Sequence, residues 1–176
     1  KCIGLHFHNA ERKKTMLLPH AMGRAGRAQR ARRKERNVMS KPVYITADST
    51  CDLTPALLER FHVKTIPLHI VLGEENYLDG VDFTQEMIYE RYAKDKVLPR
   101  TAAVSPQEFT DFFTPLVEAG YEVVFLSISS GLSGTYQNAV IAAQDLPGVY
   151  PVDSLQLTTG MGEMVLAACE MRDEGK

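Results

Sequence analysis

A run of hydroxyls and glycines, Ser129-Ser130-Gly131-Leu132-Ser133-Gly134-Thr135-Tyr136, sits between an apolar stretch at 123–128 and a segment of helical character at 137–144. The apolar stretch predicts a buried strand, so the eight residues form a strand-to-helix turn. The first turn of a helix has backbone N–H groups without intrahelical partners, and the helix dipole favours negative charge there. Glycine lets the backbone come close to whatever binds. The chemistry expected of this turn is the holding of an anion. Two smaller clusters, Asp48-Ser49-Thr50 and Asp153-Ser154, also follow predicted strands. Any one of them alone reads as ordinary turn chemistry and helix capping. Three at the same topological position point to a site.

Catalytic constellations fail one by one. Gly131-Leu132-Ser133-Gly134-Thr135 does not match the G-x-S-x-G nucleophile elbow, and a serine hydrolase also needs a histidine base. Beyond residue 40 the histidines are His62 and His69, both on one extended run. Gly160-Met161-Gly162 resembles the start of a dinucleotide fingerprint without its third glycine. Asp48 and Asp52 lie where an aspartyl phosphotransferase keeps its nucleophile, but the paired D-x-D is absent. Asp79 and Asp82 read as a solvated loop rather than metal ligands. Hydroxyls and glycines without a base or metal favour binding over turnover. A small-molecule phosphatase or phosphotransferase using Asp48 is the alternative.

The elements that must position these residues alternate between strand and helix. Residues 43–47 form a first strand. Thr54-Pro55 opens a helix, with Thr as the cap and Pro at the first position. Residues 62–72 read as a second extended run and 76–82 as a loop or short hairpin. Thr84 caps a helix of about ten residues carrying Met87, Ile88 and Tyr92. Ser105-Pro106 caps another, whose Phe109, Phe112, Phe113 and Leu116 recur at helical spacing and read as core. Gly120 ends it. After the strand at 123–128 and a helix running to about Asp145, a short strand at 149–152 and a final helix at 160–172 complete the pattern. The alternation predicts an α/β fold with a mostly parallel sheet and helices on both faces, its ligand beyond the carboxyl ends of the strands.

Net charge of −2 conceals an asymmetry. Residues 1–38 carry eleven Lys/Arg against Glu11 and Glu35, leaving nine basic and twenty acidic residues for 39–176. The basic stretch 21–36 has no apolar face. It reads as a nucleic-acid-binding arm, as a transit peptide, or as translated sequence upstream of a start at Met39. The last is favoured, because Met39-Ser-Lys-Pro-Val directly precedes the first strand, and nucleic acid is not expected as a partner. All three readings predict disorder before about residue 40. The domain boundary therefore falls between 1–38, a disordered basic leader, and 39–176, an α/β domain. Cys2, Cys51 and Cys169 make no C-x-x-C, so they form no zinc or redox signature. Reduced thiols and a cytoplasmic location follow. No apolar stretch reaches the roughly 18–20 residues of a membrane span.

Five segments together resemble one family in order and spacing: Tyr44 to Leu53 with Asp48, Ser49, Thr50 and Asp52; Leu78-Asp79-Gly80-Val81-Asp82; Thr101-Ala-Ala-Val-Ser105-Pro106; Ser129 to Ala139; and Val152-Asp153-Ser154. They resemble the DegV family of bacterial fatty-acid-binding proteins, over about 43–172. The resemblance implies a long-chain fatty acid such as palmitate as ligand, with no other cofactor and no metal. It implies a non-catalytic subunit that presents the acyl carboxylate to a separate fatty acid kinase subunit, which makes acyl phosphate from ATP. Thr101 and Ser133 would bind the carboxylate. Ser129, Ser130, Gly134, Thr135, Asp48 and Ser49 would line the pocket. The family's Thr-Ser-x-Pro-Ser pattern reads Thr-Ala-Ala-Val-Ser here, losing a hydroxyl at Ala102 and a proline at Val104. Family members also carry a second α/β domain, largely missing here, so the chain reads as an amino-terminal fragment.

Overall fold

The computed structural model describes residues 41–176. The basic stretch 21–36 and the predicted leader 1–38 lie outside the described residues. The described unit follows the sequence pattern closely. Strand β1 (Val43–Asp48) leads through a 3-10 turn (Ser49–Cys51) to α1 (Pro55–Phe61). Then come β2 (Lys64–Ile66), β3 (His69–Leu72), β4 (Glu75–Leu78), α2 (Gln85–Asp95), β5 (Arg100–Ala102) and α3 (Pro106–Glu118). Strand β6 (Glu122–Ser127), α4 (Thr135–Ala143), β7 (Val149–Asp153) and α5 (Thr158–Asp173) complete it.

Four strands form a parallel sheet in the order β2-β1-β6-β7. Alternation along β6 feeds both faces. Val123 and Phe125 enter one core with Phe109, Phe113 and Leu116 of α3 and Ala139 and Ala142 of α4. Leu126 enters the other with Met161, Val165 and Cys169 of α5, and Leu58 and Phe61 of α1 pack against it. The aromatic stripe is thus core. Phe109 and Phe113 stack at 5.4 Å, and both meet Phe125 edge-on at 5.0 and 5.5 Å. Burying such rings supplies much of the drive for docking α3 on the sheet.

The caps hold the helices where the sequence puts them. Thr54, Thr84 and Ser105 each accept the backbone N–H three residues on, from Leu57, Met87 and Glu108. Ser105 and Glu108 complete a reciprocal capping box.

One expectation is corrected. The extended run 62–72 is not a single strand. Pro67 and Leu68 interrupt it, because proline cannot donate to a ladder. Lys64 to Ile66 stays with the parallel sheet, while His69 to Leu72 turns into a separate three-stranded antiparallel sheet ordered β4-β3-β5. Residues 76–82, read as a loop or hairpin, contribute most of β4, which pairs with β3 across the Gly73-Glu74 turn. Gly73 lies at φ 66°, the left-handed region such a turn requires.

Candidate functional site

β1, β6 and β7 are consecutive in the parallel sheet, so their carboxyl ends share one rim. The three hydroxyl-rich clusters therefore meet, as the alternation predicts. They are stitched to one another. Ser130 N–H donates to Asp153 Oδ1 at 3.1 Å, Ser129 N–H to the Gln156 carbonyl at 3.0 Å, and Ser154 N–H to the Ser127 carbonyl at 3.1 Å. The Ser130 hydroxyl above all, with the Leu155 and Ser130 N–H groups, holds the Asp153 carboxyl below the ordinary carboxylate range.

Asp48 is enclosed at the end of β1. It is 0% exposed and accepts four hydrogen bonds. Thr50 N and Oγ1 donate to Oδ1 at 3.1 and 2.6 Å; Ile128 N and Ser127 Oγ donate to Oδ2 at 2.7 and 3.3 Å. Burial pushes its pKa up against the pull of those donors. The carboxylate rivets the end of β1 to the end of β6, directly beneath the Ser129 turn. In this placement Asp48 has no exposed surface, and both its oxygens serve contacts within the protein. A group enclosed by the protein on every side offers no path to a substrate phosphorus. Ser49 is similarly occupied. Its hydroxyl donates to Asp79 Oδ2 at 2.7 Å and accepts from Leu68 N–H at 3.1 Å, tying β1 to the second sheet. Asp79 thus serves a structural contact. Among the described residues no group of three or more His, Cys, Asp or Glu is placed to hold a metal ion.

The Ser129–Thr135 turn uses most of its own donors. Gly131 N–H donates to Ser129 Oγ, and Leu132 and Ser133 N–H donate to the Ser129 carbonyl. Thr135 N–H donates to Ser133 Oγ at 3.2 Å. The N–H groups of Ser129, Ser130, Gly131, Leu132, Ser133 and Thr135 are thus engaged within the protein, which narrows the backbone cradle the sequence suggests. Ser133 is half-buried and lies 2.9 Å from Thr135 Oγ1, whose residue is 0% exposed. Gly134 takes the helix-entry position with helical dihedrals and makes no side-chain cap. Ser129 is half-buried and Ser130 exposed.

Thr101 lies on β5, a strand that the sequence pattern missed because it is three residues long and has no buried position. It pairs with Ile70 of β3 and is exposed. Two contacts hold its neighbourhood. His69, opposite Ala102 in the ladder, meets Glu108 at 2.8 Å, and Asn138 of α4 donates to the Val104 carbonyl at 2.8 Å. Burial raises the Glu108 pKa, but the Ser105 donors and His69 outweigh it and hold the carboxyl below its ordinary value. The sequence offered His69 only as a candidate base and did not single out Glu108 or Asn138, because the His69–Glu108 and Asn138–Val104 contacts join residues more than thirty positions apart.

Gly162 also proves structural. A Cβ there would sit 2.6 Å from the Cys51 carbonyl, so this glycine lets α5 press against the turn after β1. The dinucleotide resemblance at Gly160–Gly162 has no strand-to-helix phosphate turn behind it.

No helix among the described residues is long and apolar enough to cross a membrane. Comparison with known proteins agrees with the architecture. A DegV domain-containing protein of Clostridium acetobutylicum is 36% identical over 136 residues, covering 76% of this chain and 49% of that protein. One of Deinococcus radiodurans is 37% identical over 135 residues, covering 76% and 48%. A solved structure of a DegV family protein from Thermus thermophilus, described as fatty-acid binding, superposes with a TM-score of 0.72 at 35% identity, over 77% of this chain and 49% of that one. A stearic-acid-binding protein from Eubacterium ventriosum gives 0.69 at 33%, over 75% and 48%. The chain spans about half the length of the curated relatives it matches. The family model described as "Uncharacterised protein, DegV family" matches residues 42–176, and the chain belongs to that family.

Proposed function

We propose that this chain supplies the headgroup site of a protein that binds a long-chain fatty acid, with Ser133 and Thr101 donating hydrogen bonds to the carboxylate. The observation that carries the reading is the Ser133–Thr135 hydroxyl pair. Thr135 is fully buried and its Oγ1 lies against Ser133 Oγ. A buried hydroxyl proton must find an acceptor, and donation to Ser133 supplies one. Ser133 Oγ then accepts from both Thr135 Oγ1 and Thr135 N–H. A hydroxyl has two lone pairs and one proton. With both lone pairs filled, Ser133 presents its proton to an acceptor outside the turn. That is the polarity a carboxylate needs, at the helix end whose dipole favours negative charge. The solved relatives described as fatty-acid or stearic-acid binding support the identity of the anion.

Residues 129–135 contain no Lys or Arg. Hydroxyl donors hold a carboxylate without forming an ion pair with it, so its oxygen keeps nucleophilic character. This suits a protein that hands the acyl carboxylate to a separate kinase subunit. There the carboxylate oxygen would attack the γ-phosphorus of ATP, forming acyl phosphate and releasing ADP. On this reading the chain binds and presents, and contributes no catalytic residue.

Mass spectrometry of lipid extracted from the purified protein tests the ligand. Co-purified long-chain fatty acid at near-stoichiometric amounts is the expected result. A protein free of acyl chains that also fails to take up added palmitate would refute it.

A further inference from the structure

The two proposed carboxylate donors sit on segments that belong to different layers. Ser133 directly precedes the Gly134 cap of α4, which packs on the parallel sheet. Thr101 belongs to β5 of the antiparallel sheet. Two donors can share one carboxylate only if something fixes the distance between these segments. The β3 ladder ends at Ala102, and α3 begins at Pro106. The backbone between them is in neither a ladder nor a helix. Ser105 N–H is taken by Glu108. The Val104 carbonyl is taken by the side chain of Asn138 at 2.8 Å, a bond from the Ser133 helix to the Thr101 segment. Val104 itself is 1% exposed, so its carbonyl has little access to water as a substitute partner.

Asn is a mediocre helix former, because its side chain competes for backbone bonds. Here the helix ladder is intact at that residue, since Asn138 N–H donates to the Gly134 carbonyl at 3.0 Å. The amide is therefore free to serve a tertiary contact. Only a donor serves at this point. A carboxylate would repel the carbonyl, and an aliphatic side chain would leave it unpaired.

We propose that Asn138 is a positioning residue that sets the separation of Thr101 and Ser133, by clamping the Val104 carbonyl to α4. The assignment rests on the fatty-acid reading for its consequence and on the hydrogen bond for its geometry. Loss of the clamp disturbs recognition of the carboxylate and spares contacts to the acyl tail.

The test uses the whole chain with Asn138→Leu and Asn138→Asp, the second serving if the first does not fold. Displacement of a fluorescent long-chain fatty acid by palmitate and by hexadecanol measures the preference for a carboxylate over an alcohol on the same tail. In the variants that preference should fall about tenfold, the scale of one hydrogen bond to a charged group. Affinity for hexadecanol should stay within about twofold. Ser133→Ala should also cost less in the Asn138→Leu background than in the parent, since the donors no longer act together. Retention of the full preference overturns the assignment and leaves the fatty-acid reading standing. Equal weakening for both ligands also overturns it, as general destabilisation. A parent protein with no preference for palmitate overturns the fatty-acid reading instead. The geometric half is then decided by hydrogen exchange at 101–105: faster exchange in Asn138→Leu supports the clamp, and unchanged exchange refutes it.

Discussion

Replacing Asp48 by Asn tests whether the buried carboxylate is a rivet. The two side chains have nearly the same shape, so the change is electrostatic. In the better orientation the Asn carbonyl takes the place of Oδ1 and keeps both Thr50 donors, at 3.1 and 2.6 Å. The amide nitrogen then replaces Oδ2. Ser127 Oγ can reverse and accept from it, but Ile128 N–H, 2.7 Å away, cannot. One buried backbone donor is orphaned and faces another donor. Such a group costs about 1–3 kcal/mol, so we expect a loss of about 2 kcal/mol, or about 6 °C in Tm for a chain of this size. Asp48→Ala orphans Thr50 N–H as well and should cost about 4 kcal/mol. The pH dependence carries a second sign. Burial raises the folded-state pKa of Asp48. A raised carboxyl stabilises most below its unfolded value, about 3.9, and loses that contribution as pH rises through the folded value. Asn does not titrate, so the stability gap between parent and Asp48→Asn should narrow from pH 4 towards neutrality. Urea unfolding at several pH values measures both effects. A variant within about 0.5 kcal/mol of the parent, or a gap that widens with pH, would refute the reasoning. A stable variant that had lost a metal-dependent phosphatase activity would restore Asp48 as a nucleophile.

Glu108→Gln should abolish a stabilisation of opposite pH sense. The Glu108 pKa is held below its ordinary value, so its contribution is present above the unfolded value, about 4.3, and lost as pH falls through the folded one. The parent-minus-variant difference in unfolding free energy should be level near neutrality and shrink towards pH 3; a difference that grows on acidification contradicts this. Gly162→Ala places a methyl 2.6 Å from the Cys51 carbonyl and 3.2 Å from Leu53 Cδ2. Overpacking of this kind costs about 1–3 kcal/mol, and an unchanged denaturation midpoint would show that the turn gives way freely. Phe113→Ala removes a ring packed against three other aromatic rings. It should cost about 3–5 kcal/mol, and a loss under 1 kcal/mol by thermal or urea unfolding would mean that α3 docks without it.

What the sequence makes legible is what depends on neighbours in the chain. The caps at Thr54, Thr84 and Ser105 hold as predicted, because capping is a contact across three residues. The stripe Phe109, Phe113, Leu116 is buried as its helical spacing requires. The rim was legible because alternation of strand and helix constrains where strand ends lie. What escaped depends on partners far along the chain. β5 is recognisable only through its ladder with β3, and the break at Pro67-Leu68 sends the second half of an apparent strand to another sheet. An Asp in a turn reads the same whether it faces water or inward. Only the position of Ile128 N–H, eighty residues on, shows that Asp48 faces inward. The generic anion cradle at Ser129–Tyr136 became narrower for the same reason. Its amides are mostly spent within the turn and on Asp153, which leaves the half-buried hydroxyl of Ser133 as the donor on which the proposed function rests.

On the proposed function, hydroxyl donors at Ser133 and Thr101 hold a fatty acid by its carboxylate. Calorimetric titration of palmitate into the parent, Ser133→Ala, Thr101→Ala and the double variant tests it most directly. Each hydrogen bond to the charged headgroup is worth about 1.5–3 kcal/mol, so each single variant should bind about ten- to hundredfold more weakly. The double variant should lose less than the sum of the two, because both donors serve one group. Palmitate binding unchanged in Ser133→Ala and in the double variant would contradict the account.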